Sequence, residues 1–321
     1  MKIFLTGATG FLGQHLLRRL QREQHEVTCL VRDSTVADHM AGGSCRVVEG
    51  SLENVGAWSK WLRGHDVVIH AAAPIEFHRD WSFFESQIVI ATEKLYRAAS
   101  REGVRRFIYI SSESVVQGKK SLLGVDESVA YCEPSSLYGK AKQLAEKVLL
   151  QGVSETECVI IRPTFMWGKG MPELDKIIRR IDNGGFRWVD QGKTVIDWVH
   201  VENVVEAIVC ALQYGEDKSI YYVTDDNAKP MREIFTSLLA TRNITPPEKN
   251  SSSFNARLAA GLMEFWWSLL GRKTAPPISL FDWSFVAVPR QYNITKARTE
   301  LHYHPVISEK MGLAEMRRPA S

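Results

Sequence analysis

Short apolar runs alternate with segments of helical periodicity through the first half of the chain. The apolar runs predict buried strands at 2–6, 27–31, 46–48, 67–71, 107–110 and 159–162. Between them, apolar residues recur at helical spacing over 11–22, 55–62, 81–100 and 135–151. Helices that alternate with strands cross over a parallel sheet and cover both of its faces. The pattern therefore predicts an α/β fold built on a doubly wound parallel sheet.

The alternation weakens after Pro163, where glycines, prolines and aromatic residues become more frequent. A helix at 204–212 and a buried strand at 220–224 complete the first pattern. We predict one domain from 1–165 plus 195–225 and a smaller, discontinuous C-terminal lobe from 166–194 plus 226–321. The apolar run 256–270 is interrupted by Arg257 and Glu264 and is shorter than the roughly 20 residues of a membrane-spanning helix. It is not predicted to cross a bilayer.

Composition narrows the class of protein without naming a function. Of 321 residues, 45% are hydrophobic and 24% charged, which is typical of a soluble globular chain. The 40 basic and 37 acidic residues are scattered, so no nucleic-acid partner is predicted. Five cysteines lie far apart without metal-site or disulfide spacing, and the N-terminus lacks the pattern of a secretory signal. We expect a cytoplasmic protein.

Three glycines at positions 7, 10 and 13 join the first predicted strand to the first predicted helix. The first allows a sharp turn, the second lets backbone approach a pyrophosphate, and the third permits close packing of helix on strand. The helix N-terminus would face the negative charge. A merely structural turn is the alternative, but the context of strand, turn and helix favours a dinucleotide site. The sheet is therefore predicted to be of Rossmann type, with 1–165 plus 195–225 as the dinucleotide-binding domain.

The second predicted strand ends at Val31 and is followed by Arg32, where an adenosine ribose should lie. An acidic residue there would bind a free 2′-hydroxyl, whereas a guanidinium suits a 2′-phosphate. This favours NADP(H) over NAD(H). The alternative is an arginine that is merely solvated at an exposed strand end.

Tyr138 and Lys142 are four residues apart on one face of a predicted helix. An ammonium beside a phenol stabilises the phenolate, so we expect Lys142 to lower the pKa of Tyr138 and also to hold the nicotinamide ribose. Ser111 and Ser112 follow a strand at the carboxyl edge of the sheet, where ligands of such folds bind. A tyrosine and lysine at this spacing can arise by chance as a solvated pair. The order of glycine turn, strand-end serines and tyrosine–lysine helix favours a catalytic role.

The chain resembles the extended short-chain dehydrogenase/reductase family, within the NAD-dependent epimerase/dehydratase superfamily, over nearly its whole length. The matching segments are TGATGFLG at 6–13, HAAA at 70–73, YISS at 109–112, YGKAK at 138–142, IRPTFMWG at 161–168, DWVHVENVVEAI at 197–208 and NITKARTELHYHP at 293–305. The residues Trp167-Gly168, the His200-Val-Glu-Asn203 segment and the apolar helix at 256–270 are most similar to the 3β-hydroxysteroid dehydrogenase, dihydroflavonol reductase and alkyl-ketoacid reductase branch.

The resemblance implies that Ser112, Tyr138 and Lys142 are catalytic, with Ser111 as the weaker candidate for the serine. The predicted cofactor-binding residues are Gly7, Thr9, Gly10, Phe11, Leu12, Gly13, Arg32, Ser51, Leu52, Ala71, Ala72, Ala73, Ser111, Tyr138, Lys142, Pro163 and Phe165. Two positions depart from the family pattern. Ser51 replaces the usual aspartate beside the adenine, and Ile88 replaces an asparagine of the usual proton relay.

The predicted reaction is hydride transfer between NADP(H) and the carbonyl or alcohol carbon of an apolar small molecule, such as a ketone, β-keto acid or steroid-like compound. Aromatic residues that could form an apolar wall, with ordinary packing as the alternative, are Phe77, Trp81, Phe83, Phe84, Phe165, Trp167, Phe186, Trp188, Phe265, Trp266 and Trp267. His70, His78 and His200 lack metal-site spacing and are expected to be structural.

Two other classes of function stay open at this level. One is a nucleotide-sugar epimerase or dehydratase that retains its cofactor, although Arg32 and the aromatic second lobe favour a reductase. The other is a cofactor-sensing or interaction protein without turnover, which the intact Tyr138 and Lys142 disfavour. Exposed crossover helices could pair two copies in a homodimer.

Overall fold

A seven-stranded parallel sheet forms the centre of the computed structural model, which describes residues 1–35, 45–74, 79–270 and 279–317. Its strands are β1 (Lys2–Thr6), β2 (Glu26–Val31), β3 (Arg46–Glu49), β4 (Val67–His70), β5 (Arg106–Ile110), β7 (Glu157–Pro163) and β12 (Ser219–Val223). They lie in the order β12-β7-β5-β4-β1-β2-β3, and all adjacent pairs run parallel. The order reverses next to β1, so the carboxyl end of β1 lies at a switch point where such sheets bind ligands.

The helices cover both faces of this sheet. Those that follow its strands are α1 (Phe11–Arg22), α2 (Val55–Trp58), α3 (Trp81–Phe84), α4 (Ala91–Arg101), α5 (Leu137–Gln151) and α7 (Val201–Ala211). Two separate apolar clusters fill the space on either side, one containing Leu16 and Val204, the other containing Phe84, Leu95 and Ala145. The predicted doubly wound α/β fold is confirmed.

Several predicted elements differ in detail. The predicted helix 55–62 is α2 followed by a 3₁₀ turn, Ser59–Leu62. The predicted helix 81–100 contains a π-helical segment, Glu85–Ile90, between α3 and α4. A π turn holds more residues than an α turn, so the buried face shifts along the helix there. Strand ends lie within two residues of their predicted positions.

The remaining strands and helices lie outside the large sheet. The strands are β6 (Leu122–Val125), β8 (Phe165–Trp167), β9 (Trp188–Val189), β10 (Val195–Ile196), β11 (Trp198–His200), β13 (Lys229–Pro230), β14 (Asn250–Ser251) and β15 (Arg290–Tyr292). The helices are α6 (Pro172–Asp182), α8 (Met231–Ala240), α9 (Ser253–Leu269), α10 (Leu280–Ala287), α11 (Thr295–Glu300) and α12 (Glu309–Arg317). Strand β6 pairs with β15, and β8 pairs with β11, so both predicted segments of the lobe connect to the first domain through short sheets. The division at 165, 195 and 225 stays a prediction.

Candidate active site

The turn after β1 has the close backbone contacts that glycine alone permits. Gly7 has φ +79°, and a Cβ added to it would lie 2.6 Å from the backbone nitrogen of Ala72. A Cβ on Gly13 would lie 1.9 Å from the carbonyl oxygen of Gly7, so α1 packs directly against the turn. Thr9 and Gly10 are exposed at the N-terminus of α1. The exposed backbone at a helix N-terminus suits a pyrophosphate, so the residues present fit a dinucleotide.

A row of buried polar side chains fixes the segment that faces this turn. Thr6 Oγ1 lies 2.7 Å from His70 Nδ1, and His70 Nε2 lies 3.1 Å from Thr92 Oγ1. The Thr6 hydroxyl also accepts a hydrogen bond from the backbone of Ala72 at 3.3 Å. Burial, with the nearby Lys142 as a second cause, lowers the pKa of His70 to about 3, so its ring is neutral at pH 7. His70 is structural, as predicted, and holds the half-buried segment that contains Ala71, Ala72 and Ala73.

The residues predicted to meet the adenosine lie at the carboxyl ends of β2 and β3. Arg32 follows β2 directly, is exposed, and forms no ion pair with any residue that the structure describes. Ser51 and Leu52 are half-buried one turn beyond β3, where Ser51 O accepts a hydrogen bond from Trp58 Nε1 at 2.9 Å. Arg32 and the short polar residue Ser51 therefore lie at the same edge of the sheet.

Helix α5 carries the tyrosine and lysine beside the segment that carries the serine. The Ser136 hydroxyl accepts from the backbone of Gly139 at 2.9 Å, which begins the helix just before Tyr138. A Cβ on Gly139 would lie 2.6 Å from the carbonyl oxygen of Ser114. This close approach brings α5 against the 3₁₀ turn Glu113–Val115, which Ser112 caps by accepting from Ser114 N at 3.2 Å. The three predicted catalytic residues therefore lie on adjoining elements.

The ammonium of Lys142 is buried between two aromatic rings. Its Nζ lies 5.9 Å from the ring centroid of Tyr138 and 4.6 Å from that of Tyr109, and it donates to Ile110 O at 2.7 Å. Burial lowers the pKa of Lys142 to about 7 and raises the pKa of Tyr138 above its usual value. The expectation that Lys142 lowers the tyrosine pKa is wrong for this form of the protein, because desolvation dominates and weakens the lysine's own charge. Tyr138 is therefore protonated at neutral pH.

This pKa makes the free energy of unfolding depend on pH. The unfolded chain holds the lysine proton up to about pH 10.5, and the folded chain loses it near pH 7. Between these values the unfolded state binds more protons, so stability rises with pH through this group. Relative to Lys142→Met, the wild-type chain should gain about 2 kcal/mol between pH 7 and 9.

Urea denaturation of the cofactor-free proteins at the two pH values measures the difference. Lys140→Met, at an exposed position on the same helix, is the matched control and should follow the wild-type profile. Parallel profiles for wild type and Lys142→Met would contradict the buried ammonium.

The hydroxyl of Ser111 has a different partner from that of Ser112. It donates to Glu146 Oε1 at 2.5 Å, one turn beyond Lys142 on α5. Glu146 also receives Arg162 Nε and Nη2 at 2.9 and 2.6 Å and the Tyr131 hydroxyl at 2.6 Å. Both members of the Glu146–Arg162 ion pair are buried. The sequence analysis missed this pair, although position 146 continues the spacing of 138 and 142.

Two apolar side chains lie near the tyrosine and the end of β7. Phe84 is buried, and its ring lies at 72° to the ring of Tyr138, with 6.4 Å between the centroids. Phe165 is half-buried, two residues after Pro163, and packs on Phe285 at 5.8 Å. Ile88, at the position of the family asparagine, is buried in the π-helical segment. An aliphatic side chain at 88 cannot relay a proton.

The other predicted wall residues divide between core and surface. Trp167, Phe186 and Trp188 are buried in a separate apolar cluster, which agrees with the packing alternative. Phe265 and Trp266 are exposed. Phe77 and His78 lie outside the described residues. His200 is fully buried, and its Nδ1 accepts from Glu202 N at 3.3 Å, as a structural histidine does.

Comparison with known proteins decides the family. The family model described as NAD dependent epimerase/dehydratase family matches residues 3–223. The chain belongs to this family. It is an NAD(P)-dependent oxidoreductase of the extended short-chain type, as the motifs predicted.

Named relatives match this extended short-chain dehydrogenase over nearly its full length. The 4-hydroxy-2-methyl-3-oxo-4-farnesyl-3,4-dihydroquinoline-1-oxide ketoreductase of Stigmatella aurantiaca is 32% identical, with 99% of this chain and 96% of the relative covered. The 2-alkyl-3-oxoalkanoate reductase of Stenotrophomonas maltophilia is 28% identical, with 99% and 98% covered. The crystal structure of gox2253 has the same fold, with TM-score 0.81, 22% identity and coverage of 98% and 97%.

The apolar stretch near residue 260 lies in helix α9. Across residues 1–35, 45–74, 79–270 and 279–317, every helix is too short or too polar to traverse a bilayer.

Proposed function

We propose that this enzyme is an NADP(H)-dependent ketoreductase whose substrate is an apolar small molecule with a ketone, such as a β-keto acid or a steroid-like compound. The observation that carries the proposal is the approach of Tyr138, the buried Lys142 and the Ser112 turn at the carboxyl edge of the sheet. The glycine turn opens onto the same edge. A dinucleotide on that turn would extend toward these three side chains.

The proposed chemistry assigns separate tasks to the side chains. NADP(H), when bound, supplies or accepts the hydride. The hydroxyls of Ser112 and Tyr138 hydrogen-bond the substrate oxygen and so orient the carbonyl carbon. Because Tyr138 is protonated at neutral pH, it donates its proton to the oxygen as negative charge develops there. In the oxidation direction, Tyr138 would first have to lose that proton, so the electrostatics of the free enzyme support reduction.

Lys142 has two proposed tasks in this scheme. Its ammonium, which donates to Ile110 O, would hydrogen-bond the nicotinamide ribose and place a positive charge next to the Tyr138 phenol. Ile88 is aliphatic and buried, so position 88 offers no side-chain amide through which Tyr138 could regain its proton. The proton would return through Lys142 or through water that enters with the substrate.

The apolar substrate is supported by Phe165 and by the two named relatives. Phe165 is half-buried two residues beyond the end of β7 and offers apolar surface at the carboxyl edge of the sheet, whereas Phe84 is fully buried against Tyr138. One relative is a ketoreductase for a farnesylated quinoline oxide and the other reduces a 2-alkyl-3-oxoalkanoate. Both names describe a ketone carried by a largely apolar molecule, which is the class that we propose here.

The preference for NADP(H) is supported by Arg32. It follows the strand that precedes the adenosine position, is exposed, and forms no ion pair among the described residues. An unpaired guanidinium there could form charge-assisted hydrogen bonds to a 2′-phosphate. The same proposal includes the other residues predicted at the cofactor, which are Gly7, Thr9, Gly10, Phe11, Leu12, Gly13, Ser51, Leu52, Ala71, Ala72, Ala73, Ser111, Pro163 and Phe165.

The location and the partners of the enzyme are proposed on the same basis. We propose a cytoplasmic enzyme that acts on a small molecule and not on nucleic acid, in keeping with its 40 basic and 37 acidic residues. The crossover helices α4 and α5 could pair in a homodimer.

Turnover across a panel of apolar ketones, β-keto acids and steroid-like ketones, with NADPH and NADH compared, tests the proposal. Arg32→Asp should lower kcat/KM for NADPH by about ten- to a hundred-fold, because a charge-assisted contact to the phosphate becomes a repulsion. It should leave turnover with NADH nearly unchanged. Arg18→Asp, at an exposed site on α1, is the matched charge control. An NADPH preference that survives Arg32→Asp contradicts the assignment of Arg32.

A further inference from the structure

Helix α9 presents a stripe of large apolar side chains to solvent, while Met263 and Trp267 are half-buried. Phe254, Leu258, Leu262, Phe265 and Leu269 are 52–75% exposed, and their spacing of three or four residues aligns them in one stripe. Trp266, 55% exposed, and Leu270, 62% exposed, widen the stripe at its C-terminal end. Ala260, near the middle of the helix, is fully buried. A helix of a soluble domain normally has the opposite arrangement, so this face is built to contact something apolar.

The polar groups around the stripe are unevenly charged. Glu264, the acidic residue of α9, faces α10, where its carboxylate accepts from Leu280 N at 2.7 Å. Asp190, next to the start of α9, accepts from Ser253 N at 2.8 Å. Glu248 is paired with Arg232 at 3.1 Å. Of these three acids, Glu248 is paired with a cation, and Glu264 and Asp190 accept hydrogen bonds from backbone N–H groups.

Three cationic side chains near the stripe are exposed to solvent. Arg187 and Lys249 are exposed side by side, each one residue before the paired strands β9 and β14, and α9 begins directly after β14. Neither forms an ion pair with the residues that the structure describes. Arg257 is exposed on α9 itself, with its guanidinium 5.2 Å from the ring centroid of Trp283. The apolar stripe is thus flanked by positive charge.

We propose that the exposed face of α9 docks on the surface of an anionic lipid bilayer. A helix that lies in the interface buries Leu, Phe and Trp side chains at the level of the acyl-chain boundary and directs cations to the headgroups. At 17 residues, α9 is about 25 Å long, which is enough to lie along the surface as one continuous apolar strip. Charge complementarity selects a membrane of negative headgroups over a second copy of the chain, whose α9 face would carry the same positive charge.

The contacts of α10 connect this surface to the candidate active site. Helix α10 packs against α9, its Phe285 contacts Phe165 at 5.8 Å, and its Ser284 hydroxyl lies 2.9 Å from that of Ser135, three residues before Tyr138. A docked α9 would therefore bring the substrate side of the enzyme close to the lipid. We infer that an apolar ketone enters from the bilayer, an extension that rests on the proposed function. The docking of α9 on a membrane does not depend on the proposed function.

Sedimentation of the full chain with vesicles, without cofactor or substrate, tests the docking. Wild type should bind vesicles of phosphatidylglycerol mixed with phosphatidylcholine and should bind pure phosphatidylcholine much less. Leu258→Glu combined with Leu269→Glu should abolish binding. The matched control places glutamate at two other exposed apolar positions, Leu123 and Val153, and should bind as wild type does. Failure of wild type to sediment, or equal loss in the control, overturns the proposal.

A second pair of substitutions tests the charge separately from the apolar stripe. Arg187→Glu with Lys249→Glu should weaken binding to the anionic vesicles by about five-fold or more for each position, because each cation near such a surface contributes about 1 kcal/mol. Binding that does not respond to these changes or to salt contradicts the choice of anionic lipid. Gel filtration tests the alternative that a second copy of the chain covers this face. A wild-type dimer that Leu258→Glu with Leu269→Glu converts to a monomer, without vesicle binding by wild type, would assign the face to a second copy.

Discussion

Tyr138→Phe should lower kcat by about 10²- to 10⁴-fold, the usual contribution of a positioned proton donor, and should leave NADPH binding essentially unchanged. Phenylalanine retains the ring that packs on Phe84 and lies beside Lys142, so the fold and the cofactor site persist. The lost hydroxyl removes the proton that the substrate oxygen must receive. Steady-state turnover and fluorescence titration with NADPH measure the two quantities.

Tyr96→Phe is the matched control for that change. Tyr96 is on α4, and its hydroxyl donates to Thr156 O at 2.9 Å, a purely structural bond. Its loss should cost about 1 kcal/mol of stability and leave kcat as it is. If Tyr138→Phe also retains turnover of an identified substrate, Tyr138 is not the proton donor.

Glu146→Gln should lower the free energy of unfolding by about 3–5 kcal/mol, because it leaves the buried guanidinium of Arg162 without its counter-charge. The carboxylate is fully buried and accepts hydrogen bonds from Arg162, Ser111 and Tyr131. An amide can accept at only one oxygen and brings two N–H donors into a place that already holds four donor groups. Urea denaturation at pH 7 measures the loss.

Glu93→Gln provides the corresponding control on helix α4. Glu93 pairs with Arg97, whose side chain is 74% exposed, so removal of its charge should cost less than about 1 kcal/mol. A loss of similar size in the two variants would show that the Glu146–Arg162 pair contributes no more than a surface pair. Replacing both partners, Glu146→Leu with Arg162→Met, should recover part of the stability, since no buried charge is then left alone.

The sheet could be predicted from the sequence because its strands are buried on both faces. Runs such as Val67 to Ile69 and Phe107 to Ile110 are buried at every position, so they appear as uninterrupted apolar stretches with few competing interpretations. The strands beyond the sheet are two to four residues long, and their pairings, such as β6 with β15, join segments far apart in the chain. Periodicity over so few residues carries no signal.

The candidate site was predictable where its function depends on local spacing. Gly7, Gly10 and Gly13, and the pair Tyr138 and Lys142, are each close in sequence, so their joint task is visible there. The partners of Glu146 come from three other segments, and a glutamate four residues after a lysine resembles an ordinary surface pair on a helix. The pKa of Lys142 depends on burial, which spacing does not reveal.

The most direct test of the central claim follows deuterium from the cofactor to the substrate. NADPH labelled at carbon 4, in each of its two stereochemical forms, is incubated with the enzyme and the best ketone of the panel. We expect the product alcohol to carry one deuterium at the carbinol carbon with one form of the label and none with the other, and Tyr138→Phe to form product at least about a hundred-fold more slowly. An alcohol unlabelled with both forms, or rearrangement of a nucleotide sugar without consumption of NADPH, would contradict hydride transfer to an apolar ketone.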